Sequence, residues 1–75
     1  MNINKFMFEL NKALYDNLFI NAEVHTMDLD TNDGVVVIRI ICDRLNRHYD
    51  YCYSISRYLL DSISIDKIVN CLLNI

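Results

Sequence analysis

Asn32-Asp33-Gly34, then Val35-Val36-Val37-Ile38-Arg39-Ile40-Ile41, then, past a polar break, Tyr49-Asp50-Tyr51-Cys52-Tyr53-Ser54-Ile55: these residues decide the fold of the chain. A turn signal precedes a β-branched run, and the second run alternates large and polar residues with period two, the pattern of two hairpin-linked strands. The spacing predicts strands over about 35–44 and 47–55 joined by Leu45-Asn46. A loop of even length pairs odd positions with even ones, so Val36, Ile38, Ile40 and Cys42 share a face with Tyr49, Tyr51, Tyr53 and Ile55. The other face then gathers Val35, Val37, Arg39 and Ile41 with His48, Asp50, Cys52 and Ser54, and makes Arg39 and Asp50 cross-strand neighbours of opposite charge.

Outward from this hairpin, residues 22–30 read as a first strand. Ile3, Phe6, Met7, Leu10, Leu14 and Leu18 recur at helical spacing, predicting a helix over 3–18 with Asn2 as its N-cap, while Phe8, Tyr15 and Phe19 fall off the stripe. Ser56-Arg57-Tyr58-Leu59-Leu60-Asp61 fits a short helical turn capped by Ser56. From Ser64, read as a second N-cap, Ile65, Ile68, Val69, Leu72 and Ile75 form another apolar stripe. The expected fold is α+β: a three-stranded antiparallel meander with helices packed on one face, in the order α-β-β-β-α, within a single domain over 1–75. Leu10, Leu14, Ile38, Ile40, Ile68 and Leu72 are its expected shared core.

Seventy-five residues lie near the lower limit for a core without staples, and the chain answers with 53% hydrophobic residues, no Pro and one Gly. So much apolar surface makes self-association an expectation as well. Seven Lys and Arg against ten Asp and Glu give a net charge of −3, with the bases scattered. Direct nucleic-acid binding is disfavoured, and the acids are too dispersed to mimic nucleic acid. The three cysteines have no close repeat spacing, no signal peptide is recognisable and no apolar run reaches membrane-spanning length, so free thiols in a cytoplasmic setting are expected.

Candidate chemistry is sparse. Asp28 to Gly34 alternates oxygen side chains as a calcium loop does, but Gly34 comes one residue late and Arg39 stands where a bidentate Glu belongs, so a polar turn is the reading. Cys42, His48, Cys52 and Cys71 are formally a zinc set without a knuckle pair, and Cys42 and Cys52 should point from opposite sheet faces. His48 and Cys52 lie about 13 Å apart along one strand, too far for a nucleophilic pair. No cofactor and no catalysis are expected. Tyr49, Tyr51, Tyr53 and Tyr58 read as core packing beneath the helices, with a tyrosine-rich recognition surface as the functional alternative. The outer sheet face, with Val24, Val35, Val37 and Ile41 around Arg39 and beside Asp50, is the expected contact surface for a partner protein or a second copy.

Met1-Asn2-Ile3-Asn4, the compact α-β-β-β-α order, the acidic balance and the Asn/Ile-rich composition resemble small early proteins of bacteriophages and mobile elements in low-GC bacteria. Within that group the layout, with the same four opening residues, the strand segment Val37-Ile38-Arg39-Ile40 and the apolar strand leading through Ile55-Ser56 to C-terminal helices, is similar to a family of small anti-CRISPR proteins that block an RNA-guided DNA nuclease. The resemblance implies an inhibitor acting by protein contact. It transfers no residue roles, because those inhibitors place dense carboxylates in a nucleic-acid groove and this chain has no acid-rich second half. The expected function is therefore a non-enzymatic, cytoplasmic binding protein, phage- or mobile-element-encoded, covering a surface of a host or defence protein. An obligate homodimeric structural subunit is the alternative, and an enzyme or metal protein built on Cys42, His48 and Cys52 a distant third.

Overall fold

The computed structural model describes residues 1–28 and 34–75. A helix α1 (Ile3–Asp16) leads into three strands, β1 (Ile20–Asp28), β2 (Val35–Arg44) and β3 (Arg47–Ser56), then one 3₁₀ turn (Arg57–Leu59) and a helix α2 (Ser62–Leu73). The strands form one antiparallel sheet in the order β1-β2-β3, and both helices bury their apolar stripes against the same sheet face. The fold is α+β with the expected order. The calcium-like segment and the last two residues of the expected first strand fall largely outside the described residues.

The hairpin follows the even-loop register throughout, from Arg44 opposite Arg47 to Val35 opposite Ser56. Leu45 and Asn46 both have positive φ, 51° and 63°, which lets a two-residue turn match the right-handed twist of its strands. Val36, Ile38, Ile40, Cys42 and Tyr49 are buried on the inner face, with Tyr53 and Ile55 packed at its margin. Against them lie Phe6, Leu10 and Leu14 of α1 and Ile65, Ile68, Val69 and Leu72 of α2. All six residues expected to share the core are in it.

Three local readings are corrected. First, α1 stops two residues early. Asn17 caps it, Leu18 takes a left-handed φ of 69°, and the Phe19 and Leu18 amides donate to the carbonyls of Leu14 and Tyr15. This double closure throws Leu18 outward and seats Phe19, off the helical stripe, fully in the core. Second, α2 begins at Ser62, because the Asp61 carboxylate accepts from the Ser64 amide at 2.8 Å and takes the cap assigned to Ser64. Third, β1 begins at Ile20 and its pairing is interrupted between Ile20 and Glu23 and again between Thr26 and Asp28. The resulting register sets Val24 opposite Ile40, on the inner face rather than the outer one.

Two arginines close the end of the core beside the hairpin tip. The Arg44 guanidinium lies 5.6 Å from the Phe19 ring centre while its Nε donates to the Asn17 carbonyl, and Arg47 lies 5.1 Å over Tyr49. Tyr49 in turn meets Phe19 edge to face at 5.4 Å. Of the four tyrosines expected together, Tyr49 is core, Tyr53 marginal, Tyr51 36% exposed and Tyr58 89% exposed.

Candidate functional site

Period-two alternation turns Val35, Val37, Arg39, Ile41 and Asp43 of β2 away from the helices, and all five are half-buried between their neighbours. At the centre, Arg39 Nε donates to Asp50 Oδ1 at 2.9 Å and Nη2 to Oδ2 at 2.6 Å. Asp50 stands opposite Ile41 and Arg39 opposite Cys52, so this bidentate pair runs diagonally across β2 and β3. Hydrogen bonding from Arg39, aided by its charge, holds the Asp50 carboxyl below its ordinary range and raises the guanidinium in return. A fork-to-carboxylate contact of this kind fixes both side chains in one orientation.

The structure thus brings Arg39, Asp50, Val35, Val37 and Ile41 onto one surface. It also adds Glu23, His25 and Asp43, which side-chain spacing does not place there, beside His48, which it does. Glu23 stands opposite Ile41 and His25 opposite Arg39, with His25 Nε2 3.8 Å from the Glu23 carboxylate. Toward the hairpin tip the Asp43 carboxylate meets His48 Nδ1 at 2.7 Å and accepts from Asn21 Nδ2 at 3.1 Å. Those contacts, the His48 hydrogen bond first, lower the Asp43 pKa. The alternation Ala22-Glu23-Val24-His25 carried the signal that Glu23 and His25 share a face. What hid their position was the interruption of β1 pairing before Glu23. The outer face is an aliphatic strip with a rigid ion pair at its centre and charged or imidazole side chains on both flanks.

The thiols divide by face. Cys42 is buried on the inner face, and burial pushes its pKa up to about 11, which suppresses the nucleophilic thiolate. Cys52 is exposed on the outer face and Cys71 on α2. Among the described residues, no three His, Cys, Asp or Glu side chains converge as a metal site, and no helix is long and apolar enough to cross a membrane. Among the described residues the surface carries open grooves. One of about 250 Å³ runs between β3 and α2, lined by Tyr53, Ile55, Leu59, Lys67, Ile68 and Cys71. Another of about 350 Å³ lies at the hairpin tip by Ile20, Arg44 and Leu45. Comparison of the chain with protein-family models, with curated proteins and with solved structures finds no match to any of them.

Proposed function

We propose that this chain is a non-enzymatic binding protein whose outer sheet face docks on a partner protein, with Arg39, Val37, Ile41, Asp50 and Val35 as its centre. One observation carries the reading. Both helices cover the same face of the sheet, leaving the other with an aliphatic strip around a bidentate Arg–Asp pair and a charged margin. An apolar centre with a polar rim is how protein interfaces are built, and Arg is among the residues that carry their energy. The net charge of −3 favours a protein over a nucleic-acid partner. The resemblance to phage and mobile-element early proteins supplies the rest: a host or defence protein as target, an anti-CRISPR role within that class, and a cytoplasmic setting.

The test is affinity capture from the native host with wild-type protein and with Arg39→Glu. The variant should stay folded, since Arg39 points outward, and should weaken capture by more than about tenfold through a reversed charge at the centre of the interface. Undiminished capture by a folded Arg39→Glu protein places the surface elsewhere. The second reading, an obligate homodimer joined through this same face, is favoured by the 53% hydrophobic content of so short a chain. In that case Arg39→Glu dissociates the protein itself.

A further inference from the structure

The sheet ends in two edges of opposite construction. β1 is interrupted twice in its pairing, turns at Asn21 with a φ of 53° and carries Glu23, the bulges and charge by which edge strands discourage further pairing. β3 does carry Arg47 and Asp50, the latter engaged by Arg39, but it has neither a bulge nor a left-handed turn. Its register with β2 is unbroken from Arg47 to Ser56, and it contains no Pro, no Lys and no positive φ. In an antiparallel ladder closed by a two-residue turn, alternate residues direct their backbone groups away from the neighbouring strand. The Arg57 amide, which donates to the Gly34 carbonyl, continues the odd-numbered set that faces β2. The amides and carbonyls of His48, Asp50, Cys52 and Ser54 therefore point outward as a regular row of donors and acceptors, without a backbone partner among the described residues.

We propose that this edge binds a second copy of the chain, β3 against β3 about a two-fold axis at Tyr51, making one continuous six-stranded sheet. Strand length and side chains together choose the register, since axes at residues 49 or 53 pair fewer residues of Arg47–Ser56. A two-fold at residue 50 would oppose two Asp50 carboxylates, and one at residue 52 would set Arg47 against Arg57. The axis at Tyr51 pairs residues 47–55 with no like charges directly opposed. It sets Tyr51 against Tyr51 and Tyr49 against Tyr53 on the inner face, where aromatic cross-strand pairs are favourable. It also joins the outward groups of Asp50 and His48 to those of the partner's Cys52 and Ser54, so the backbone row meets its own complement. Tyr51 is 36% exposed although it points to the core side, and the groove beside Tyr53 and Ile55 leaves room there for an added strand. The assembled sheet would end at both sides in the bulged β1, leaving no regular edge free. It would also merge two outer faces into one surface, whatever docks there.

Light scattering across a dilution series tests this directly. Wild-type protein should be a dimer. Tyr51→Lys and Tyr51→Glu should each weaken self-association by at least tenfold while keeping their circular dichroism, and an equimolar mixture of the two should recover a heterodimer. Should either variant unfold, Cys52→Pro replaces it, because it removes an amide that points away from β2 and should give a folded monomer. A wild-type protein that is monomeric at its highest soluble concentration overturns the proposal and leaves β3 open to an extended peptide instead. So does a dimer indifferent to the folded variants, or a mixture that fails to recover. Arg39→Glu should leave this dimer intact; dissociation by Arg39→Glu and not at Tyr51 assigns the dimer to the outer face. Loss of partner capture with the dimer preserved bears only on the function proposed for that face.

Discussion

The two faces of the sheet are made by adjacent residues of the same strand, yet they are different materials. Ile38 and Ile40 are fully buried under α1 and α2, whereas Val37, Arg39 and Ile41, one residue away, are only half-buried between β1 and β3. On the inner face apolar packing is nearly closed, and among the described residues no charged side chain is buried there, Arg44 and Arg47 only closing its end. The outer face keeps aliphatic residues but interleaves Glu23, His25, Arg39, Asp43, His48 and Asp50, tied to one another at 2.6–3.8 Å. Stability should therefore reside on one face and any recognition on the other.

The largest contrast lies between two thiols. Cys42 reaches solvent only when the core opens, and its raised pKa suppresses the thiolate further. Cys52 is exposed on the outer face of the folded chain. In a Cys71→Ser background, native-state labelling should modify Cys52 at least about a thousandfold faster than Cys42, because opening a core costs much of the global stability. Comparable rates would mean that the inner face is not closed.

Neighbouring isoleucines give the next contrast. Ile40→Ala should cost about 2–5 kcal/mol by leaving a cavity under the helices, lowering the melting temperature by about 10 °C or more. Ile41→Ala should cost under about 1 kcal/mol, as exposed-face substitutions do. Similar losses at both positions would show that another chain covers the outer face under the conditions of measurement.

How much of this division the sequence carried can be traced residue by residue. The β2–β3 hairpin was legible to its register because the alternation of Tyr49, Tyr51 and Tyr53 permits one face assignment once Leu45-Asn46 is taken as the turn. β1 was not legible to that depth. Its period-two pattern places Ala22 with Val24 and Glu23 with His25, but the interruptions at its two ends fix the register through backbone geometry that side-chain spacing does not encode, so Val24 was assigned to the wrong face. Phe19 was missed for a related reason. Helical periodicity ends where the chain turns left-handed at Leu18, and a residue beyond that turn reaches the core by a different path. Of the site, Arg39, Asp50 and the β2 aliphatics were readable and the β1 flank was not.

Leu18 offers a smaller test of the same boundary. With a φ of 69° and 67% exposure it carries the steric cost of a left-handed conformation without burying its side chain. Relief of roughly 1–2 kcal/mol of that cost, less the roughly 0.5–1 kcal/mol of extra chain entropy of glycine, predicts that Leu18→Gly stabilises the protein by about 0.5–1 kcal/mol. Chemical denaturation checks it, and a destabilised variant would show that Leu18 contributes contacts to the core after all.

The smallest expected effect belongs to the ion pair at the centre of the outer face. Asp50 is held below the ordinary carboxylate value of 3.8 by Arg39, so between those two values the unfolded chain binds a proton that the folded chain does not. Stability from this group is present above about pH 4 and drains away as pH falls through the lowered value. Asp43 and Asp61 are lowered as well, by His48 and by the Ser64 amide, and carry the same sign. Acidification of the wild type should lower the melting temperature through this window, and Asp50→Asn should flatten the dependence without abolishing it. Because the pair is open to solvent, the change should be slight and should shrink further in high salt. A melting curve for Asp50→Asn that follows the wild type at every pH would mean that Arg39 and Asp50 contribute nothing to folding. The bidentate contact would then serve only to hold Arg39 in one orientation on the outer face.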